Sequence, residues 1–115
     1  MSKRSDALYL SDIIDSIGAI ESFIEDVDFN TLVSDRKTQS ATIRELEVIG
    51  EAAGSISDEL KSRYPDVDWR TIKDFRNVLS HEYFGIDNEI VWGIITEKLP
   101  FLKNQINLIL RSIES

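Results

Sequence analysis

The chain has 115 residues, with 21 acidic and 13 basic side chains, a formal net charge of −8 and 42% hydrophobic residues. This length fits one domain with one core over residues 1–115, and the composition is that of a folded globular protein. With no cysteine and a single histidine, the chain lacks the residues for disulfides, zinc fingers, iron–sulfur clusters and thiol nucleophiles. We therefore expect no metal site and no cofactor.

No segment of the sequence is apolar for long enough to span a membrane. The longest stretches free of formal charge, Ile90–Thr96 and Asn104–Leu110, are seven residues long, whereas a bilayer needs about 20. Asp6, Asp12 and Asp15 interrupt any apolar core of a signal peptide near the N-terminus. These features predict a cytoplasmic protein. The acidic net charge opposes strong non-specific binding to nucleic acids, which depends on neutralising phosphates.

Apolar residues recur at helical spacing along most of the chain, which predicts an all-α, up-and-down bundle of four to six helices. The first helix is expected from about Ser5 to Asp26, followed by a short turn through Val33 that Asn30 caps. A second long helix is expected from about Asp35 to Ser57. Small residues near its end allow another helix to approach closely: Gly50, Ala52, Ala53 and Gly54.

The second half of the chain is expected to contain a connection and two further helical regions. Leu60–Asp68 contains a proline and is interpreted as the connection. Asp87 is predicted to cap the last helical region, which Pro100 kinks or restarts before it continues to the end of the chain.

The helix between these two segments separates its residues into two faces. It is predicted to begin at Trp69, with Asp68 as its N-cap, and to run to about Tyr83, with Gly85 in the left-handed position that ends helices. At 100° per residue, the apolar face comprises Ile72, Phe75, Val78 and Leu79. The opposite face, within an arc of about 80°, comprises Arg70, Lys73, Asn77 and His81, which we call the polar stripe. Arg76 lies between the two faces, as does the tyrosine at the helix end.

Spacing alone leaves the role of this helix open. A single histidine near a helix C-terminus is commonly a surface residue that the helix dipole favours. An arginine such as Arg76 is often the ion-pair partner of an acidic residue, and a tyrosine at such a border often only packs. Asp74 and Glu82 lie beside the polar stripe and are able to neutralise it. The preceding helix carries three charged residues at helical spacing, Arg44, Glu47 and Glu51. Either they form surface ion pairs with one another, or one of the two acids holds Arg76 in place.

A short motif favours a function for this helix. Residues 76–83 are Arg76-Asn77-Val78-Leu79-Ser80-His81-Glu82-Tyr83, a pattern of Arg, four residues, His, one residue and Tyr. With this motif the chain resembles the HepT-like group of HEPN-domain ribonuclease toxins. The resemblance extends over about Ile43 to Ile113 and includes residues 43–52, Asp68-Trp69, Ile86-Asp87, Val91-Trp92 and Leu99-Pro100.

The resemblance implies a metal-independent endoribonuclease toxin that is paired with a minimal nucleotidyltransferase antitoxin. It implies a homodimer in which the motif helices line a shared cleft. Arg76 and His81 would be the catalytic residues, Asn77 would assist them, and Tyr83 would be the residue to which the antitoxin transfers AMP. The residue types suit RNA cleavage, because histidine titrates near neutral pH and arginine supplies a permanent planar cation.

The acidic net charge remains in tension with an RNA substrate. Local potential rather than total charge governs binding in a cleft. Two facing copies of Arg70, Lys73 and Arg76 would bring about six cations together, so we expect Arg70 and Lys73 to bind RNA. Two rival functions stay open: a catalytically inactive helical partner that docks the nucleotidyltransferase and presents its tyrosine, and a dimeric scaffold without a nucleic-acid role.

Overall fold

The computed structural model describes residues 5–80 and 87–114, and for residues 76–80 and 114 it describes the backbone alone. Within these ranges the chain forms seven α-helices and one π-helical segment, with no β-strand. They are α1 (Asp6–Phe23), α2 (Phe29–Ser34), α3 (Arg36–Ser55), α4 (Asp58–Arg63), α5 (Trp69–Ser80), α6 (Asn88–Gly93), the π-helical segment (Ile94–Lys98) and α7 (Leu99–Glu114). The backbone stays helical at both ends of the π-helical segment. Residues 88–114 are therefore one continuous rod, and the predicted all-α bundle of four to six helices is confirmed.

Helix α3 lies at the centre of the bundle, with α1 and α5 packed against it, and α1 also packs on α7. Asp6, at the start of α1, accepts hydrogen bonds from the backbone N–H of Ser57 (2.9 Å) and from its hydroxyl (2.6 Å), just beyond the end of α3. Gly54, near the end of α3, lies against Lys73 in the second turn of α5. Both neighbours of α3 therefore run antiparallel to it. None of the described helices combines the length and the apolar character needed to cross a membrane.

The core is formed by the inner faces of the long helices, where the hydrophobic pattern predicted them. Leu32 of α2, Leu60 of α4 and Val91 of α6 each add one buried side chain. The long helices contribute, among others, Leu10, Ile13, Ile17, Ile20, Leu46, Ile49, Ile72, Phe75, Leu102, Ile106 and Ile109. Because each residue of this set leaves water on folding, the set provides the main driving force for assembly of the bundle.

Two predictions about short segments were wrong. The N-cap of α2 is Asp28, whose carboxylate accepts from the backbone N–H of Thr31 at 2.8 Å, and not Asn30, which lies inside the helix. The connection predicted over Leu60–Asp68 begins later, because α4 occupies its first residues. The hydroxyl of Ser57 caps α4, and acidic residues in the first turn favour its start. The proline that suggested a loop follows the end of this helix.

The ends of the long helices also differ from the predicted bounds. Helix α1 ends at Phe23 rather than near Asp26, because Asp26 has a φ of 60° and leaves the right-handed helical conformation. Helix α3 ends two residues before Ser57, which instead caps α4. At Pro100 the rod does not break. The π-helical segment precedes this proline in the chain, and proline has no N–H to donate to a preceding carbonyl.

Candidate functional site on helix α5

The start of α5 is fixed by hydrogen bonds from two directions. Asp68 caps the helix as predicted, and its carboxylate accepts from the backbone N–H of Thr71 at 3.1 Å and from the Thr71 hydroxyl at 2.7 Å. These bonds, the hydroxyl bond first, lower the pKa of Asp68 below its ordinary value. The indole N–H of Trp69, which is buried, donates to the carbonyl oxygen of Tyr64 at 3.0 Å. The first turn of α5 is therefore held to the segment before it.

The described side chains of α5 fall on two faces, as the sequence predicted. Ile72 and Phe75 are buried in the core. Arg70, Lys73 and Asp74 are exposed. The described side chains provide no ion-pair partner within 4.0 Å for either Arg70 or Lys73. Arg70 and Lys73, the two described cations of the polar stripe, are thus accessible to a ligand that approaches from the solvent.

Lys73 also packs on α3. A Cβ atom built on Gly54 would lie 3.5 Å from Cγ, 3.7 Å from Cδ and 3.6 Å from Cε of Lys73. The aliphatic part of this lysine therefore crosses the surface of α3 at a residue that has no side chain. The predicted close approach of another helix at the small residues of α3 stays a prediction, because these distances are ordinary van der Waals contacts with a side chain.

The four motif residues lie at or beyond the limit of the described structure. Arg76 and Asn77 are in the helical backbone of α5, which continues to Ser80. Their side chains, and all of His81 and Tyr83, lie outside the described residues. The predicted helix end near Tyr83 and the expected left-handed Gly85 also lie outside them. Of the predicted site residues, Arg70 and Lys73 are the two whose side chains the structure places, and it places them on one exposed face.

The next described segment after the motif begins with Asp87, at the start of α6. Asp87 caps α6 as predicted, and its carboxylate accepts from the backbone N–H groups of Glu89 (3.0 Å) and Ile90 (3.2 Å). The side chain of Gln39, at the start of α3, donates to the side-chain oxygen of Asn88. Sequence reasoning missed this contact, because it joins residues that are 49 positions apart and neither belongs to a recognisable pattern. It ties the first turn of α6 to α3.

A groove lies on the apolar side of α5, against the π-helical segment and the start of α7. Its volume is about 250 Å³, and its wall includes Thr71, Ile72 and Phe75 of α5. Phe101 lines the opposite wall and is 56% exposed. Sequence reasoning missed this groove, although Phe101 is an apolar residue that does not belong to the buried face of α7.

The acidic and basic residues predicted on α3 do not form a ladder. Arg44, Glu47 and Glu51 are all exposed, and no ion pair joins any two of these described side chains. Among the described residues there is also no group of three His, Cys, Asp or Glu side chains arranged as metal ligands.

Comparison with known proteins identifies the family. The family described as "Ribonuclease HepT-like" matches residues 13–109, which include most of α1, the whole of α5 and the motif. The chain therefore belongs to the HepT-like ribonuclease family, as its motif suggested.

Individual relatives match along almost the whole chain. A protein of Thermococcus cleftensis named "Probable ribonuclease HepT" is 41% identical over 103 residues, which are 90% of this chain and 94% of the relative. Two proteins of Methanocaldococcus jannaschii named "Putative RNase" are 36% identical over 109 residues and 39% identical over 114 residues. The first alignment covers 95% of this chain and 100% of the relative, and the second covers 99% and 94%. No solved structure matches the chain.

Proposed function

We propose that this protein is a metal-independent endoribonuclease of the cytoplasm and the toxin of a toxin–antitoxin pair. The observation that carries the proposal is the family match over residues 13–109, because this range encloses the motif from Arg76 to Tyr83. Relatives that match along at least 94% of their length are named as ribonucleases. The exposed cations of the polar stripe, Arg70 and Lys73, supply a surface with the charge that an RNA backbone requires.

The motif residues suit cleavage that uses the RNA's own 2′-hydroxyl group. In this mechanism His81 accepts the 2′-hydroxyl proton while the 2′-oxygen forms a bond to phosphorus. The bond from phosphorus to the 5′-oxygen breaks, and a general acid protonates that leaving oxygen. Arg76 stabilises the negative charge that develops on the phosphoryl oxygens. Asn77, one turn before His81, orients the imidazole or holds a phosphate oxygen. The products are a 2′,3′-cyclic phosphate and a 5′-hydroxyl.

We further propose that the active form is a homodimer with the two motif helices facing one cleft. A single histidine in each chain cannot act as base and acid in the same step, whereas two chains supply both groups. A two-fold axis also places Arg70, Lys73 and Arg76 beside their symmetry mates. This local concentration of cations offsets the net charge of −8.

Regulation is proposed to act at Tyr83 through a minimal nucleotidyltransferase antitoxin. AMP on this tyrosine adds bulk and a negative phosphate close in sequence to Arg76. Such a group blocks the cleft and neutralises the cation that the transition state needs. In the rival function the same tyrosine is presented to the nucleotidyltransferase by a chain that cleaves no RNA.

Cleavage without metal tests the proposed chemistry. Purified protein free of AMP is incubated in EDTA with single-stranded RNA, and with the same RNA carrying one 2′-deoxynucleotide at the mapped cleavage position. We expect cleavage of the first substrate, with cyclic phosphate ends, and protection of the second at that position. Cleavage that requires a divalent ion, or that persists at the deoxynucleotide, contradicts the mechanism. If no RNA is cleaved under any condition, the rival function as a binding partner is supported.

The regulatory proposal has its own test by mass spectrometry. The chain is co-expressed with an active minimal nucleotidyltransferase antitoxin, and the intact mass is compared for the wild type and Tyr83→Phe. We expect the wild type to gain one or more AMP units and Tyr83→Phe to gain none. Equal modification of both chains shows that another residue accepts AMP.

A further inference from the structure

Gly54 is an unusual residue for its place in α3. It lies in the last turn of a helix of 20 residues, where glycine is the weakest helix former after proline. None of the described glycines has a positive φ, so the backbone at Gly54 does not require glycine. The aliphatic carbons Cγ, Cδ and Cε of Lys73 lie 3.5–3.7 Å from the place a Cβ would occupy, which is ordinary van der Waals contact. Residue 54 therefore has room for a methyl group beside the lysine, whereas a larger side chain would compete with the lysine for this surface of α3.

We propose that Gly54 is a positioning residue that holds the aliphatic part of Lys73 against α3 and so fixes its ammonium group on the polar stripe for an RNA phosphate. This inference rests on the proposed ribonuclease function. It concerns how the substrate is held and not the chemical step.

The way in which Lys73 is held supports this role. No described carboxylate lies within 4.0 Å of its ammonium group, so no described ion pair directs the side chain. Its apolar carbons instead pack on a helix surface while the residue as a whole remains exposed. Packing against α3 reduces the number of conformations open to the lysine, and a side chain restricted in this way loses less conformational freedom when a phosphate binds. The contact therefore raises affinity for RNA without touching it.

Substitutions at Gly54 are expected to act according to their size. A methyl group at this position would make ordinary van der Waals contact with Lys73, at 3.5 Å or more, so Gly54→Ala leaves room for the lysine. Gly54→Val adds two γ carbons with a restricted χ1 angle, which compete with the lysine for the same surface. Gly54→Gln is a second large variant with better helix propensity, in case the valine variant folds poorly. Gly18→Val is the matched control, because Gly18 is an exposed helical glycine and no neighbouring atom lies within 4 Å of the place its Cβ would occupy.

The experiment measures binding of single-stranded 2′-O-methyl RNA of mixed sequence, which cannot be cleaved through the 2′-oxygen. The dissociation constant is determined over a series of salt concentrations by fluorescence anisotropy. Lys73→Ala should weaken binding and lower the slope of log K against log salt by about 0.7 for each phosphate contact that is lost, one from each chain that contacts the RNA. Gly54→Val and Gly54→Gln should weaken binding roughly two- to tenfold with the slope kept, because the charge is loosened rather than removed.

A double-mutant cycle separates this effect from a general structural one. In the Lys73→Ala background, Gly54→Val should cause no further loss, because the residue that it displaces is already absent. Gly54→Ala should lose less affinity than the larger variants, and Gly18→Val should bind as the wild type does. Melting temperatures of all variants show whether they remain folded.

Two results overturn the inference, and they have different meanings. In the first result, the wild type binds RNA and Lys73→Ala weakens binding, but the folded variants Gly54→Val and Gly54→Gln bind RNA as tightly as the wild type. The same conclusion follows if the substitutions at Gly54 lower RNA affinity equally with and without Lys73. The positioning role alone is then wrong. If the wild type binds no RNA, the proposed ribonuclease function fails and the positioning role fails with it.

Discussion

The two faces of α5 differ in what holds their residues and in what they contribute. On one face, Ile72 and Phe75 are buried against the rest of the bundle. On the other, Arg70 and Lys73 are exposed and have no described ion-pair partner. The first face is needed for the fold, and the second is free to carry charge that folding does not require. We therefore expect that substitutions on the buried face of α5 change stability, whereas substitutions on its exposed face change the proposed binding of RNA and leave stability almost unaffected.

The largest expected effect on stability is at the buried face. Phe75→Ala removes a side chain that is 4% exposed and should lower the free energy of unfolding by about 3–5 kcal/mol. Arg70→Ala, on the opposite face of the same helix, should change it by no more than about 0.5 kcal/mol. Urea denaturation followed by circular dichroism measures both. If Phe75→Ala and Arg70→Ala lowered the free energy of unfolding by similar amounts, the buried and exposed faces of α5 would not differ in their contribution to stability.

A stabilising substitution should be found in the core of α3. The side chain of Thr42 is fully buried, and its hydroxyl has no hydrogen-bond partner among the described residues. Thr42→Val replaces this hydroxyl with a methyl group and should raise the free energy of unfolding by about 1–3 kcal/mol. Thr38→Val is the matched control, because the Thr38 hydroxyl donates to Asp35 at 2.8 Å. We expect Thr38→Val to lower the free energy of unfolding. If Thr42→Val also lowered it, the Thr42 hydroxyl would have a hydrogen-bond partner in the folded protein.

The smallest expected effect is the pH dependence of the cap on α5. The Thr71 hydroxyl and backbone N–H lower the pKa of Asp68 in the folded state. The unfolded state therefore binds the proton more readily, and stability from this group is present above about pH 4 and is lost as pH falls through the folded pKa. Asp68→Asn keeps a capping side chain that does not titrate.

The melting temperature of Asp68→Asn should accordingly fall less steeply with acidification than that of the wild type. Part of the slope should remain, because hydrogen bonds to Thr31 and to Thr38 also lower the pKa values of Asp28 and Asp35. Differential scanning calorimetry from pH 6 to pH 2 checks this. An unchanged slope would show that the Asp68 carboxylate is not held more tightly in the folded state.

The long helices and the start of α6 could be predicted from the sequence, whereas α4 and the cap of α2 could not. The periodic apolar residues of α1, α3 and α5 and the caps Asp68 and Asp87 are local signals. Helix α4 has six residues and a single buried side chain, Leu60, so its stability depends on packing against the bundle rather than on its own pattern. Asn30 and Asp28 are both good caps in sequence, and the choice between them depends on where α2 docks.

For the candidate site, local pattern predicted which residues share a face but not which helices meet there. The exposure of Arg70 and Lys73 follows from the spacing along α5. The contact between Lys73 and Gly54 depends on the register between α5 and α3, which neither helix specifies alone. The same limit applies to the bond between Gln39 and Asn88, since it joins distant segments whose approach is a property of the whole bundle.

The central proposal is that Arg76 and His81 of the motif perform RNA cleavage that the fold does not need. Its most direct test is to measure RNA cleavage in EDTA and melting temperature together for the wild type, Arg76→Ala and His81→Ala. We predict that each variant loses cleavage by at least about 100-fold while its melting temperature stays within about 2 °C of the wild type. Full cleavage by His81→Ala, or a loss of cleavage that occurs only together with unfolding, would contradict the account.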